Sequence, residues 1–338
     1  MKIHFTIVGC GYIAHRHAKH ILEHPEAQLQ GGFDIVETKH NAYAQKYGCK
    51  AYSSLTALLA DEQVDMVTVC TPNGTHYEVA LQALKAGKNV LIEKPMAIEK
   101  VHCETLIKTA LDYNVALFVV KQNRFNPPVQ AVKRLIIGEK LGKIYNVVLN
   151  CYWNRNEQYY LNSDWKGTKA LDGGTLFTQY SHFIDILYYL FGDIEVVQGL
   201  VSNVNHGDLI EFEDTGNFIF RFKQHQALGS LNYTTATYQQ NMEGSITIFA
   251  ENATIKIGGK YLNTIDYQCT NGFDIQDLPV SSPANNYGYY EGSMSNHDKV
   301  IHNVVEALNG RQKIMTNAFD GLKVVEIIEQ MYKQASFV

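Results

Sequence analysis

Residues 3–14, IHFTIVGCGYIA, constrain the fold more than any other stretch of this chain. A largely apolar strand pattern runs straight into Gly9-Cys10-Gly11, and a helical pattern opens at once behind it. The spacing is G-x-G-x-x-A. Gly9 permits a tight turn, Gly11 lets the backbone approach a bound pyrophosphate, and Ala14 keeps helix and strand close. Free N–H groups at the helix start, with the macrodipole behind them, favour negative charge over Tyr12 and Ile13. A glycine turn alone opens many α/β helices. Here a strand precedes it, a helix follows it, and Asp34 closes the next strand pattern. Together they specify a dinucleotide-binding βαβ unit. A carboxylate at Asp34 accepts hydrogen bonds from a ribose diol and repels a 2′-phosphate, favouring NAD over NADP. Lys39, nearby in sequence, leaves NADP open.

The alternation continues. Apolar runs at 29–33, 64–69, 90–92 and 115–120 are separated by helical patterns at 37–47, 75–86 and 98–112, with 13–23 before them. Strands and helices of these lengths build parallel units with helices on both sheet faces, which predicts a doubly wound Rossmann sheet. The pattern changes near residue 125. A helix at 127–137 leads to a half-exposed strand at 143–153 and a long helix at 173–190. Period-two segments follow at 194–204, 216–223, 226–235, 243–250 and 253–264, then helices at 296–309 and 318–334. The expected fold class is α/β. A cofactor domain at 1–123 is followed at 124–338 by an α+β domain with a large, open-faced, mostly antiparallel sheet. The last helices are expected to pack back on the first domain. The bare sheet face predicts a homo-oligomer, a dimer or tetramer.

Composition bounds the function classes. The 338 residues suit two domains, and 46% hydrophobic with 19% charged residues is ordinary for a folded chain. A net charge of −5 without basic clusters argues against nucleic acid as partner. No apolar run reaches membrane-spanning length, and the start lacks a signal-peptide cleavage pattern. Six cysteines, far apart and without a C-x-x-C pair, read as reduced thiols, so a cytoplasmic location is expected. His297 and Asp298 look like a metal pair only in isolation; no third ligand has suitable spacing, and no metal site is expected.

Ligands of open α/β sheets bind at the carboxyl ends of strands. Two loops there should border the cofactor: Thr71-Pro72-Asn73 leading to His76, and Glu93-Lys94-Pro95. With GCGYIA, Asp34 and a GG-x(7)-H-x-x-D helix, these stretches resemble the GFO/IDH/MocA oxidoreductases. The resemblance spans nearly the whole chain and implies a Rossmann domain followed by an open-faced sheet. It further implies that Lys94 is catalytic with His182 as partner, that Glu93 contacts the cofactor ribose, and that the Lys94–Pro95 bond is often cis. Gln122, and Trp165 with Lys166 as an aromatic–basic pair, would lie beside the cofactor.

A closer resemblance is to the branch that oxidises the 3-hydroxyl of UDP-N-acetylglucosaminuronic acid in surface-polysaccharide (lipopolysaccharide) biosynthesis. It rests on VVKQNRFNPPV at 119–129, DWKGTKALDGG at 164–174 and YYEGSMSNHDKVI at 289–301. The chain departs from that branch at Lys166, usually arginine, at Lys169, usually aromatic, and at Thr178, usually asparagine.

Thr178, His182 and Asp185 are spaced four and three apart, so an α-helix would set them on one face, with Asp185 orienting the imidazole. A core histidine on an apolar helix is the plain alternative; beside Lys94 and the fingerprint, catalysis is preferred. Oxidising a carbinol removes a hydride and a proton. His182 is read as the base and Lys94 as the alkoxide stabiliser and substrate anchor; the reverse division stays open. Pro95 would fix the backbone at Lys94. Asn123, Arg124, Gln179, Tyr290 and Ser295 are the candidate substrate contacts, Arg124 for a carboxylate or phosphate. Tyr290 belongs to the aromatic loop holding Tyr287 and Tyr289. The alternatives are a dehydrogenase of free sugars or polyols such as inositol, and a ligand-sensing regulator on the same fold.

Overall fold

The computed structural model describes residues 2–288 and 290–338; Tyr289 of the aromatic loop lies outside the described residues. The chain forms two units, one of residues up to 121 with 297–325, the other of 122–296 with 326–338. The division therefore falls two residues before the expected one, and the return of 297–325 makes the first unit discontinuous.

The first unit carries six strands: β1 (Ile3–Val8), β2 (Ala27–Phe33), β3 (Lys50–Ala51), β4 (Met66–Val69), β5 (Asn89–Ile92) and β6 (Leu117–Val119). All pair in parallel, in the order β3-β2-β1-β4-β5-β6. This is the doubly wound Rossmann arrangement, with its switch point between β1 and β4. Every residue of β4 is buried, as befits a strand covered on both faces. Sequence periodicity predicts five of the six strands; β3 is two exposed residues, too short for a pattern. The helix His297–Leu308 buries Val300, Ile301, Val304 and Val305 and packs on the helix Tyr12–Glu23.

The second unit is built on eight strands: β7 (Ile144–Tyr152), β8 (Ile194–Ser202), β9 (Thr215–Phe222), β10 (Leu228–Thr234), β11 (Glu243–Ala250), β12 (Ala253–Gly258), β13 (Thr264–Thr270) and, after the hairpin β14 (Ala284–Asn286) with β15 (Glu291–Met294), β16 (Ala335–Phe337). Their order is β13-β12-β11-β7-β10-β9-β8-β16. Pairing is antiparallel except for β7 with β10 and β8 with β16. The expected strand at 253–264 ends at Gly258, and mostly polar, exposed β13 follows it.

Strand β9 alternates buried and exposed residues along its length, so the sheet has a wet and a dry face. On the dry face Phe183 of the helix Ser181–Phe191 meets Trp153 edge-on at 5.2 Å, and Phe191 meets Phe222 at 5.5 Å. Burying each such ring contributes about 1.5–3 kcal/mol. The wet face carries half-exposed Leu200, Ile219 and Leu228 beside an amide row. Asn217 donates to Asn232 at 2.9 Å, and Asn232 to Asn150 at 3.0 Å. The helix Ala318–Gln334 ends in the second unit, where the Tyr332 hydroxyl donates to Glu213 Oε1 at 2.9 Å and accepts from the Leu176 amide at 3.1 Å. Among the described residues no helix is long and apolar enough to cross a membrane.

Candidate active site

In the first unit, register brings the loops together. Val8 pairs with Val69 and Val69 with Ile92, so the turns after β1, β4 and β5 leave the sheet at one level. Gly9 sits at φ +90°, and a Cβ there would lie 2.7 Å from the Cys70 carbonyl oxygen; only glycine fits. Gly11 precedes the helix Tyr12–Glu23 with no side-chain cap, and a Cβ built on it would meet nothing within 4 Å. Among the described residues, then, no other segment crowds the start of this helix at Gly11. Asp34 is locked to the turn, Oδ2 accepting from the Cys10 amide at 2.8 Å and Oδ1 from the Val36 amide at 2.9 Å. Thr71 Oγ1 is buried without a hydrogen-bond partner among the described residues. Open amides, a fixed carboxylate and an orphan hydroxyl at the strand ends suit a dinucleotide. Tyr12 is exposed, Ile13 half-buried and Ala14 fully buried, the last against the strand.

Other expected contacts serve the loops. His76 has Nδ1 2.7 Å from the Pro95 carbonyl and Nε2 2.8 Å from that of Thr71. Its ring nitrogens staple the two loops, and burial lowers its pKa against the pull of those carbonyls. Pro72 starts the short 3-10 turn Asn73–Thr75, in which Asn73 is buried. Lys94–Pro95 is cis, and Lys94 is half-buried.

Glu93 stands in a cluster that sequence spacing does not reveal. Its Oε1 lies 2.7 Å from His17 Nε2 and 3.5 Å from His297 Nε2. Burial would raise the carboxyl pKa, but bonds from the two imidazoles outweigh it and hold Glu93 ionised. Burial pushes His297 down to about 4, against the attraction of Glu93. The fold thus gives His297 the neighbours that its own segment lacks, and the three ligand atoms lie within 4.8 Å of one another. Ligands on one tetrahedral zinc stand about 3.3 Å apart. The 2.7 Å contact is shorter and is a charge-assisted hydrogen bond. As it stands, the cluster braces the carboxylate next to Lys94.

In the second unit His182, nearly buried, begins the helix Ser181–Phe191. Gln122 Nε2 lies 3.2 Å from His182 Nε2 and 3.2 Å from Ser293 Oγ. The Gln122 amide can donate to a bare Nε2 or, turned over, accept from Nε2–H, so the roles in this contact follow the histidine tautomer. Gln122, the expected cofactor neighbour, stands against the histidine. Asp185, expected to orient it, is gripped by Arg124: Nε reaches Oδ2 at 2.8 Å and Nη2 reaches Oδ1 at 2.7 Å. Both side chains are buried, and Arg124 also lies over the Tyr189 ring at 4.7 Å. The fork proposed for a ligand carboxylate is thus committed to one from the chain itself.

Thr178 departs from the expected helix face as well. Leu176–Tyr180 is one turn of π-helix, which breaks α periodicity ahead of His182, and the Thr178 hydroxyl bonds the Asp172 carboxylate. Asn123 is buried, with both amide atoms unpartnered among the described residues. Gln179 accepts from Arg155 Nε at 2.7 Å and donates to the Tyr159 hydroxyl at 2.8 Å. Tyr290 stacks on Tyr287 at 4.7 Å. Trp165 and Ser295 are half-buried. Lys166, expected at the cofactor, holds its ammonium 3.8 Å from the Tyr159 ring centre. Arg155 is the residue that sequence reasoning misses; it stands in no motif.

Residues 3–121 match the family described as "Oxidoreductase family, NAD-binding Rossmann fold", and 129–256 match the GFO/IDH/MocA C-terminal domain. The chain is similar to the WlbA dehydrogenase of Bordetella pertussis, crystallised with NADH and UDP-GlcNAcA. It is 33% identical, covers 99% of this chain and 96% of that one, and has a TM-score of 0.88. The WlbA dehydrogenase of Chromobacterium violaceum, with the same ligands, is 34% identical over 98% and 93% of the two chains, TM-score 0.86. An oxidoreductase of Streptococcus pneumoniae is 30% identical over 64% of this chain, which spans only 58% of that relative's length.

Proposed function

The chain belongs to the GFO/IDH/MocA oxidoreductase family, and on that premise we propose that it is an NAD-dependent dehydrogenase of a sugar secondary hydroxyl. The substrate proposed is a nucleotide-linked uronic acid, with C3 of UDP-N-acetylglucosaminuronic acid the leading case. The observation that carries the reading is the buried His182 imidazole, with Nε2 3.2 Å from the Gln122 amide. An imidazole suits proton transfer near neutrality. Near-full-length likeness to two dehydrogenases crystallised with NADH and UDP-GlcNAcA supports the choice of substrate.

NAD, when bound, supplies the hydride acceptor. The Gly9–Gly11 turn and the helix start would hold its pyrophosphate, and Asp34 its ribose diol. Nε2 of His182 takes the hydroxyl proton as the carbinol C–H leaves with its electron pair and the C–O bond becomes a carbonyl. Lys94 stabilises the developing alkoxide, and Glu93, braced by His17, fixes the backbone turn that carries it. The full-length protein should reduce NAD with UDP-N-acetylglucosaminuronate, read at the nicotinamide absorbance, and the product should be two hydrogens lighter. Reduction of NAD with inositol or a free sugar, and none with UDP-sugars, would transfer the reading to the polyol class. No reduction with any hydroxyl substrate would favour a sensor.

A further inference from the structure

Two cations in the sheet unit share one aromatic box, and among the described residues neither has an acid paired with it. Arg155 follows β7 and is 2% exposed. Its guanidinium carbon lies 4.9 Å from the ring centre of Trp153 and 5.2 Å from those of Tyr159 and Tyr290. Lys166 enters from the loop before the π turn and sets Nζ 3.8 Å from the Tyr159 centre and 5.0 Å from that of Tyr290. The same two rings therefore carry both charges.

The hydrogen bonds of Arg155 all go to neutral acceptors: Gln179 Oε1 at 2.7 Å, the Asn154 carbonyl at 2.6 Å and Asn241 Oδ1 at 3.3 Å. Among the described residues no carboxylate forms an ion pair with Arg155 or Lys166. The nearest acid to act on Lys166, Asp172, is engaged by the Gly167 amide at 2.7 Å and the Thr178 hydroxyl. Burial, then the charge of Arg155, pull the Lys166 pKa down to about 8, with Asp172 opposing more weakly. Ring faces offset part of the cost of burying a cation, but not the repulsion between two of them. A purely structural site would hold one charge or none.

The box adjoins the proposed reaction centre. Gln179, which bonds both Arg155 and Tyr159, precedes His182 by three residues. A ligand with its hydroxyl at His182 would project its next substituents into the box, about one helical turn away. We infer that Arg155 and Lys166 form an oxyanion subsite that receives a carboxylate or phosphate group of the substrate. The inference rests on the dehydrogenase reading for the ligand's identity, though not for the existence of the subsite.

The test measures binding to the full chain by quenching of its two tryptophans, of which Trp153 floors the box. The probes are UDP-N-acetylglucosaminuronate, UDP-N-acetylglucosamine, D-glucuronate and inorganic pyrophosphate. Lys166→Gln should weaken binding about tenfold and Arg155→Gln about 30-fold. Losses confined to the two uronates identify the carboxylate; equal losses on both UDP-sugars and on pyrophosphate identify the diphosphate. Either upholds the subsite. Because Arg155 is buried and its variant can fail to fold, half-buried Lys166 decides. A Lys166→Gln protein that binds every probe as wild type does overturns the inference. If wild type takes neither UDP-sugar, the nucleotide-sugar reading falls and the small anions judge the subsite alone. Binding of either one, lost in Lys166→Gln, upholds it; binding of neither overturns it.

Discussion

Lys94 and His182 carry separable tasks, and substitution can tell them apart. Methionine at 94 keeps most of the aliphatic stem and removes the charge; asparagine at 182 keeps a polar group and removes the base. Lys94→Met and His182→Asn should each lower kcat by about 10²–10⁴, with NAD affinity nearly unchanged in fluorescence titration. Near-normal turnover in both variants would refute the assignment. Single residues were legible where a backbone requirement or a strand end singles them out. Gly9 has no room for a side chain, and Lys94 follows directly on β5 and its Glu93. Partners made by folding were not. The fold brings Arg124 onto Asp185 across 61 positions, a pairing that no helix spacing announces. Glu93 meets His17 and His297, and no spacing rule links positions so distant. Arg155 has no motif at all; only the rings gathered around it disclose a role.

At the scale of elements, the π turn Leu176–Tyr180 and the end of the last helix depend on each other. Gly174 has φ +131°, and a Cβ there would run into the Tyr332 hydroxyl. Gly174→Ala should therefore destabilise the fold by about 2–4 kcal/mol in urea unfolding, since both backbone strain and collision oppose it. The same tyrosine donates to Glu213, as does Tyr233 at 3.0 Å. Burial raises the Glu213 pKa from 4.5 to about 7, the two hydroxyls opposing it only in part. The unfolded chain releases this proton near its ordinary value, and the folded chain near neutrality. Across that interval the native state binds the extra proton, so stability falls as pH rises. The shift corresponds to a loss on the order of 3 kcal/mol between pH 4.5 and 7.5. Glu213→Gln should remove that slope, measured as the difference in unfolding free energy between pH 5 and pH 8. A variant with the wild-type slope would refute the assignment. The long helix pattern was visible in sequence, but its π turn was not, because one inserted residue per turn leaves the apolar content unchanged.

Over the whole molecule, the alternation of strands and helices announced one unit, and period-two segments the other, because burial on two faces and on one leave different patterns. Strands β3 and β13 escaped, for short or polar segments bury too little to leave a trace. The wet sheet face, with Leu200, Ile219 and Leu228, predicts self-association, and light scattering at micromolar concentration should give at least twice the 38.2 kDa chain mass. Asn150, Asn232 and Asn217 satisfy one another across three strands of that face. Their amides ask little of a second subunit, so covering them costs little dehydration and exposing them leaves few orphaned groups. Dilution should then separate subunits that stay folded: the scattering mass halves while the circular dichroism spectrum holds still.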